Sequence, residues 1–376
     1  MRFTHLAVEN WRNFAEIGVE LQNRAFLIGP NASGKSNFLD VFRFLHDVVE
    51  SGVQKAVGIR GGVSRIRSLA AHGKTDVVID VGLQDADRGE WRYRLGFKQD
   101  KQRRPIIMTE KVWQGRDLIL SRPDDNDVDD PERLLHTNLE QVIANREFRE
   151  IADFFSSVRY YHIVPQLVRE PDRSAGRTDD PFGGNFLEQV AHTDKRTQQS
   201  RLKRIGEALK VAVPQLADLK LEKDERGIPH LYGKYEHWRS RGAWQTEVDF
   251  SDGTLRLMGL LWALLDGTGP ILLEEPELSL HPEVVRHIPQ MITRVQRKRT
   301  LRQVFLSTHS SDLLGDDGIA PDEFFLFTPV IEGTKVESGA TVAEVRQLLE
   351  SGLSVAEVAM ARTKPPRANQ LSLFGE

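Results

Sequence analysis

The run Gly29-Pro30-Asn31-Ala32-Ser33-Gly34-Lys35-Ser36 puts two glycines, a lysine and a hydroxyl at the spacing G-x-x-x-x-G-K-[ST]. Glycines let successive backbone N–H groups curl around a phosphate, and a helix opening near Lys35 aims its positive end at the same anion. Lys35 then reaches the β- and γ-phosphates, and the Ser36 hydroxyl is a Mg²⁺ ligand. A second run, Pro270-Ile271-Leu272-Leu273, is apolar and ends in Glu274-Glu275. A buried strand that delivers acids at its C-terminal end presents them where open α/β sheets bind ligands. Glu274 suits the Mg²⁺ shell, and Glu275 suits a general base that orients and polarises an attacking water. Taken alone, the same residues read as a solvated acidic turn.

Two further constellations follow the same logic. Leu306-Ser307-Thr308-His309 closes another apolar strand, where His309 can donate to a γ-phosphate or to the attacking water. Phe250-Ser251-Asp252-Gly253-Thr254 is a small, polar turn opening a helix. It reads either as an anion site or, more plainly, as an N-cap supplied by Ser251.

The elements around these residues are legible. Thr4–Val8, Glu16–Leu21 and Ala25–Ile28 read as strands, and Phe38, Val41/Phe42, Leu45 and Val48/Val49 recur at helical spacing after the loop, beyond Asn37. Strand patterning between Asp76 and Leu120, with turns at Gly89 and Gln114-Gly115, predicts an antiparallel sheet. Arg122–Pro131 reads as an exposed acidic loop, and helical patterning covers Pro131–Ser156 and Phe186–Ala212. From Thr254 onwards helices alternate with the strands Pro270–Leu273, Gln303–Leu306 and Glu323–Phe327, which predicts a parallel sheet.

The expected organisation is an α/β P-loop head, with a mostly parallel core sheet, an antiparallel β subdomain and an inserted helical region. Its segments are 1–121 (phosphate loop and antiparallel sheet), 122–215 (helical insertion), 216–361 (the second ATPase lobe) and 362–376 (a flexible tail).

Composition narrows the classes. The 376 residues are 39% hydrophobic and 28% charged, which fits a globular protein with a substantial core. There is no cysteine, so disulfides, thiolate metal sites and cysteine nucleophiles are excluded. No apolar run approaches membrane-spanning length, and the polar start Met1-Arg2-Phe3-Thr4-His5 lacks a signal-peptide core, so no membrane partner and a cytoplasmic location are expected. A net charge of −4 gives no global attraction for nucleic acid. Basic clusters at Lys101–Arg104, Lys195–Lys210 and Arg294–Arg302 read either as solvated faces or as local nucleic-acid contacts.

In order, the phosphate loop, the Ser-Asp-Gly turn, the acidic strand, Ser279-Leu280-His281-Pro282 and His309 resemble the ABC-type ATPases. Val8-Glu9-Asn10-Trp11-Arg12-Asn13-Phe14 and Glu274–Pro282 resemble the RecF/SMC-like branch, specifically bacterial ATPases related to the OLD (overcoming lysogenisation defect) family. The resemblance implies ATP and Mg²⁺ as ligands of 29–37. It also implies two heads packed head to tail, with Ser251, Asp252 and Gly253 of one completing the ATP site of the other. Arg12 would reach the nucleotide phosphates or base. Hydrolysis, by this likeness, serves DNA repair or phage defence through a separately encoded nuclease, because too few residues follow His309 for the Toprim domain of full-length OLD proteins.

Two departures stand out. Glu274 replaces the Asp of many ABC proteins, and no glutamine-loop residue is assignable, Gln54 and Gln84 being the candidates. No heptad insertion for coiled-coil arms is present. The competing readings are a transporter ATPase subunit and a nucleotide switch with negligible turnover. Finally, Gln370-Leu371-Ser372-Leu373-Phe374 resembles the bacterial sliding-clamp-binding motif, three apolar side chains for pockets and one glutamine for polar contacts. The plainer alternative is a tail that docks on its own domain.

Overall fold

Six strands form the central sheet, and its middle strands are the runs that are apolar on both faces. In the computed structural model, described for residues 1–68, 75–171, 180, 183–236, 243–298 and 302–364, β3 (Arg24–Ile28) and β13 (Val304–Thr308) are buried along their length. They pair in parallel, Thr308 beside Ile28. β14 (Phe324–Val330) pairs in parallel on the other edge of β3 and turns back antiparallel into β15 (Gly333–Ser338). The full sheet order is β15-β14-β3-β13-β12-β8, with β12 at Ile271–Glu274 and β8 at Arg159–Tyr161. Continuous apolar strands of this kind need cover on both faces.

The helix α1 (Lys35–Ser51) supplies part of that cover. Its buried Phe38, Leu39, Val41, Phe42, Leu45 and Val48 lie at helical spacing. Phe42 meets Phe3 (ring centroids 4.8 Å) and Phe305 (5.0 Å), and Phe38 meets Phe327 edge-on (5.6 Å). Each such aromatic pair contributes about 0.5–1.5 kcal/mol beyond its burial. These rings fix the helix that carries Lys35 and Ser36 against the strand that precedes the loop.

The chain divides into two compact units. The first comprises Met1–Arg159, Thr268–Leu272 and Arg299–Glu376; the second comprises Tyr160–Gly267 and Leu273–Lys298. The division falls inside β12 and β8, and it separates 122–159 from 160–215 within the expected insertion. Ile271 N–H donates to Gln303 O (2.9 Å) and Arg159 N–H to Pro270 O (2.9 Å), which ties the first residues of β12 and β8 into the first unit.

The first unit also holds the antiparallel sheet β2-β1-β4-β5-β6-β7, with β1 Arg2–Trp11, β2 Phe14–Glu20, β4 Val77–Asp85, β5 Gly89–Gln99, β6 Pro105–Gln114 and β7 Asp117–Arg122. Gly89 (φ 80°) and Gly115 (φ 58°) make the two hairpin turns expected of them. In the second unit β9 (Leu216–Lys223), β10 (Pro229–Tyr235) and β11 (Ala243–Thr246) form a meander, with the helices Lys195–Ala212 and Asp252–Leu265 beside it in sequence.

The region after β7 is helical only in short pieces: Asp125–Asp129, two 3₁₀ turns and Arg149–Ser156. The cause is a buried charge cluster. Glu110 accepts from Arg122 Nη1 (3.0 Å), Asn138 N–H (2.7 Å) and Leu139 N–H (3.0 Å), while Arg122 donates to the carbonyls of Arg133 and His136. Backbone groups that a longer helix would pair internally are committed to this cluster, because an unpaired buried charge costs several kcal/mol. Asp127 joins it (Arg122 Nη2 to Oδ1, 2.8 Å), so the acidic segment expected to be an exposed loop is partly interior.

No described helix is long and apolar enough to cross a membrane. Arg362 and Thr363, read as tail, end the helix Val355–Thr363, and the Gln370–Phe374 peptide lies outside the described residues.

Candidate nucleotide site

The phosphate loop occupies the turn between β3 and α1. Gly29 admits no side chain: a Cβ there would stand 2.6 Å from Ser33 Oγ and 2.7 Å from Phe327 Cβ. Gly34 has φ 98°, a left-handed conformation that glycine adopts at little cost, and it is the N-cap of α1. Ala32 is also left-handed (φ 61°), so Pro30 to Gly34 winds into a concave turn. Lys35 is buried and donates to Gly29 O (2.9 Å) and Pro30 O (3.1 Å), which holds its ammonium inside the loop. Ser33 Oγ is buried with no hydrogen-bond partner. A glycine cradle, an interior lysine, a buried hydroxyl and a 17-residue helix starting at its edge fit a phosphate chain.

One side chain braces this loop from a distance in sequence. Asn13, in the turn between β1 and β2, donates through Nδ2 to Ser33 O (2.9 Å) and to Thr334 Oγ1 (2.7 Å), and its Oδ1 accepts from Asn37 Nδ2 (2.7 Å). A Cβ on Gly34 would collide with that amide. Trp11, at the end of β1, donates through Nε1 to Asn37 O (3.0 Å). Its place in the turn of the N-terminal motif is the only local mark that Asn13 carries in the sequence. Asn37 therefore braces the loop from within α1.

Arg12 is left-handed (φ 54°), with its Nη1 donating to Arg65 O (3.2 Å) and its Nη2 3.7 Å from Asp40. Its Nε is buried without a hydrogen-bond partner. Asp40 also accepts from Arg60, which bridges to Asp47 (2.8 Å). Burial pushes the Asp47 carboxyl up, but the His46 hydrogen bond and the Arg60 charge together hold it below its ordinary value.

His309 follows β13 as Gly29 follows β3, and the register Thr308–Ile28 brings both strand ends to one level. An open cleft there is lined by Gly29, Pro30, Asn31 and His309, with Met360 and Thr363 from the C-terminal helix and Lys364 just after it. Thr363 and Lys364 were not expected at the site, because 362–376 reads as tail.

In the second unit, Glu274 ends β12 and Glu275 opens a strained turn. Glu275 is left-handed (φ 43°), as is Ser279 (φ 62°). Such conformations cost a non-glycine residue about 1–2 kcal/mol and concentrate where geometry matters. The Tyr160 hydroxyl donates to Glu274 Oε2, and His162 Nδ1 lies 3.8 Å from the same oxygen. Neither partner was anticipated. The glutamine-loop candidates are engaged elsewhere: Gln54 donates to Pro105 O and Leu135 O, and Gln84 to Asp85 O.

The Ser-Asp-Gly turn opens the helix Asp252–Leu265 within the same unit. Ser251 Oγ accepts from Thr254 N–H (3.2 Å), the plain capping role. Asp252 pairs with Arg169 (2.6 Å). Gly253 lies against the loop after the acids, since a Cβ there would stand 2.5 Å from Ser279 O. One turn further, Arg256 feels the carboxylates of Asp252, Glu275 and Glu277, and burial, the larger effect, lowers its pKa.

The core sheet, the antiparallel subdomain and the phosphate loop between β3 and α1 define a P-loop head with the fold of an SMC head. The chain belongs to the family described as "AAA domain, putative AbiEii toxin, Type IV TA system", whose model matches residues 24–315. Over 47 residues it is 40% identical to "Endonuclease GajA" of Bacillus cereus (strain VD045), a match spanning 12% of this chain and 8% of that protein. In fold it is similar to an SMC head bound to the C-winged helix domain of ScpA (TM-score 0.58, 12% identity, 90% of this chain and 97% of that one). The Pyrococcus furiosus SMC head with an extended coiled coil, bound to the C-terminal domain of ScpA, is also similar (TM-score 0.51, 12% identity, 93% and 98%).

Proposed function

We propose that this chain binds and hydrolyses ATP, pairs with a second copy on ATP, and gates a separately encoded nuclease acting on DNA in phage defence or genome maintenance. The observation that supports it most is the shared cleft of Gly29–Asn31 and His309 at the ends of two parallel strands. Family membership supports nucleotide binding, and the short likeness to an endonuclease supports the nuclease link. A cytoplasmic location belongs to the same proposal.

In this reading the backbone amides of 29–34 and Lys35 hold the phosphates. Ser36 and Glu274 would each offer an oxygen ligand to Mg²⁺, which would supply charge neutralisation to the phosphate chain. Glu275 orients a water and takes its proton as the water oxygen bonds to the γ-phosphorus, while the bond from that phosphorus to the bridging β,γ oxygen breaks and ADP leaves. His309 donates to the γ-phosphate. Ser251, Asp252 and Gly253 act on the nucleotide held by the second copy. Arg12 acts from beside the loop, through α1.

Phosphate release measured with enzyme in excess over ATP tests the reading. Wild type releases one phosphate per ATP and Lys35→Ala releases none; equal release from both would refute it, and nucleotide binding without any release in wild type would leave a switch. The Gln370–Phe374 peptide supports a second reading, a repair ATPase linked to the sliding clamp. A peptide of Ala368–Glu376 then binds purified clamp, and no binding at high micromolar peptide removes that reading.

A further inference from the structure

The helix Lys195–Ala212 is amphipathic in an unusual way, apolar on one side and almost uniformly cationic on the other. Its inner face, Gln198, Leu202, Ile205, Gly206 and Leu209, is buried, with Gly206 against Leu219 of β9. Outward stand Lys195, Arg196, Lys203, Arg204 and Lys210, all exposed, with Glu207 the one acid inside the stripe. Arg196, Lys203 and Lys210 recur every seven residues, so a rise of 1.5 Å per residue sets them about 10.5 Å apart in a nearly straight row.

Some exposed cations of the chain are neutralised by an acid close in sequence: Lys220 by Glu222 (2.8 Å), Arg286 by Glu283 (2.8 Å), Lys335 by Glu337 (2.7 Å). Among the described residues the five outward cations of this helix make no ion pair, in a chain whose net charge is −4. The positions between them are Thr197, Gln199, Ser200 and Ala208. Val211, at the C-terminal end of the helix, is the one exposed large apolar side chain on this face, and a single such residue is not the apolar core that a protein partner buries.

We propose that this face is a docking surface for the phosphate backbone of a nucleic-acid duplex. A rigid row of evenly spaced, unneutralised cations matches a regular row of anions, and the contact reads backbone rather than bases. The inference rests on the DNA-linked reading above for its partner class, and on no part of the hydrolytic assignment.

The experiment is anisotropy of a short random-sequence DNA duplex, its RNA counterpart and poly-glutamate, each titrated with the full chain across a salt series. Replacing Arg196, Lys203 and Lys210 together by Gln removes three phosphate contacts. The log–log salt slope for DNA then flattens by about 2.7, since each contact contributes about 0.9. Glu207→Gln, which removes the like-charge intruder from the duplex's viewpoint, tightens binding. Preference between the two duplexes names the source of the backbone. An unchanged slope and affinity in the triple variant overturns the proposal, as does poly-glutamate binding as tightly as either duplex. ATP binding by the triple variant stays at the wild-type level, and Lys35→Ala keeps its duplex affinity, so failure of one reading is distinguishable from failure of the other.

Discussion

Tyr160 and Glu274 share a hydrogen bond, the phenol donating to Oε2 of the carboxylate that follows the apolar strand, with His162 3.8 Å from the same oxygen. A carboxylate so held is oriented before any ligand arrives. If Glu274 is the metal-side acid, Tyr160→Phe leaves ATP binding without divalent metal unchanged and weakens Mn²⁺ binding to the nucleotide complex about fivefold, the worth of one hydrogen bond of about 1 kcal/mol. Titrations of Mn²⁺ into the two nucleotide complexes decide it; identical affinities would separate Tyr160 from the metal.

Asn13 joins Ser33, Asn37 and Thr334. Asn13→Ala strands several buried polar groups and should destabilise the first unit by about 1–3 kcal/mol. The urea midpoint falls with an unchanged slope, and ATP affinity falls with it because the loop loses its brace. Wild-type ATP affinity in this variant would show that the loop holds its shape unaided.

Ser251 offers a clean separation of capping from a role at the partner's nucleotide. Ser251→Ala loses about 1 kcal/mol of helix stability, while Ser251→Asp keeps the cap. The account expects the Asp variant to be as stable as wild type yet unable to pair on ATP, since it sets a carboxylate against a γ-phosphate. Wild-type pairing and turnover by Ser251→Asp would reduce Ser251 to a cap.

Asp47, hydrogen-bonded by His46 and paired with Arg60, makes an acid-sensitive contribution. Its folded pKa lies below its ordinary value of 3.8, so the stabilisation is complete above that value and is lost as pH falls through the folded pKa. Wild type therefore exceeds Asp47→Asn in stability at neutral pH, and the gap closes below pH 3.8. A gap that persists unchanged into that range contradicts the assignment. The comparison is made by urea unfolding at a series of pH values.

The strand–loop–helix unit from Ala25 to Val49 was legible because its parts are contiguous and every residue obeys a local rule. The strands ending at Thr308 and Phe327 were legible for the same reason, as unbroken apolar runs. What stayed hidden depends on pairs far apart in sequence. Tyr160 lies 114 residues from Glu274, and Asn13 lies 321 from Thr334, so neither pairing leaves a local trace. Helical periodicity between Pro131 and Ser156 overstated the helix because it is blind to Glu110 and Arg122, whose burial draws those backbone groups away. The edge strands Ala243–Thr246 and Gly333–Ser338 escaped notice because half-exposed strands carry little apolar signal.

The central claim is that Glu275 drives hydrolysis within an ATP-bridged pair, and the mass of Glu275→Gln in solution tests it most directly. By light scattering after size exclusion, the account expects the 42.7 kDa chain to double its mass with ATP and Mg²⁺ and to stay doubled, while wild type returns to the single chain as ATP is consumed. A Glu275→Gln variant that binds ATP but remains a single chain, or hydrolyses at the wild-type rate, would contradict it.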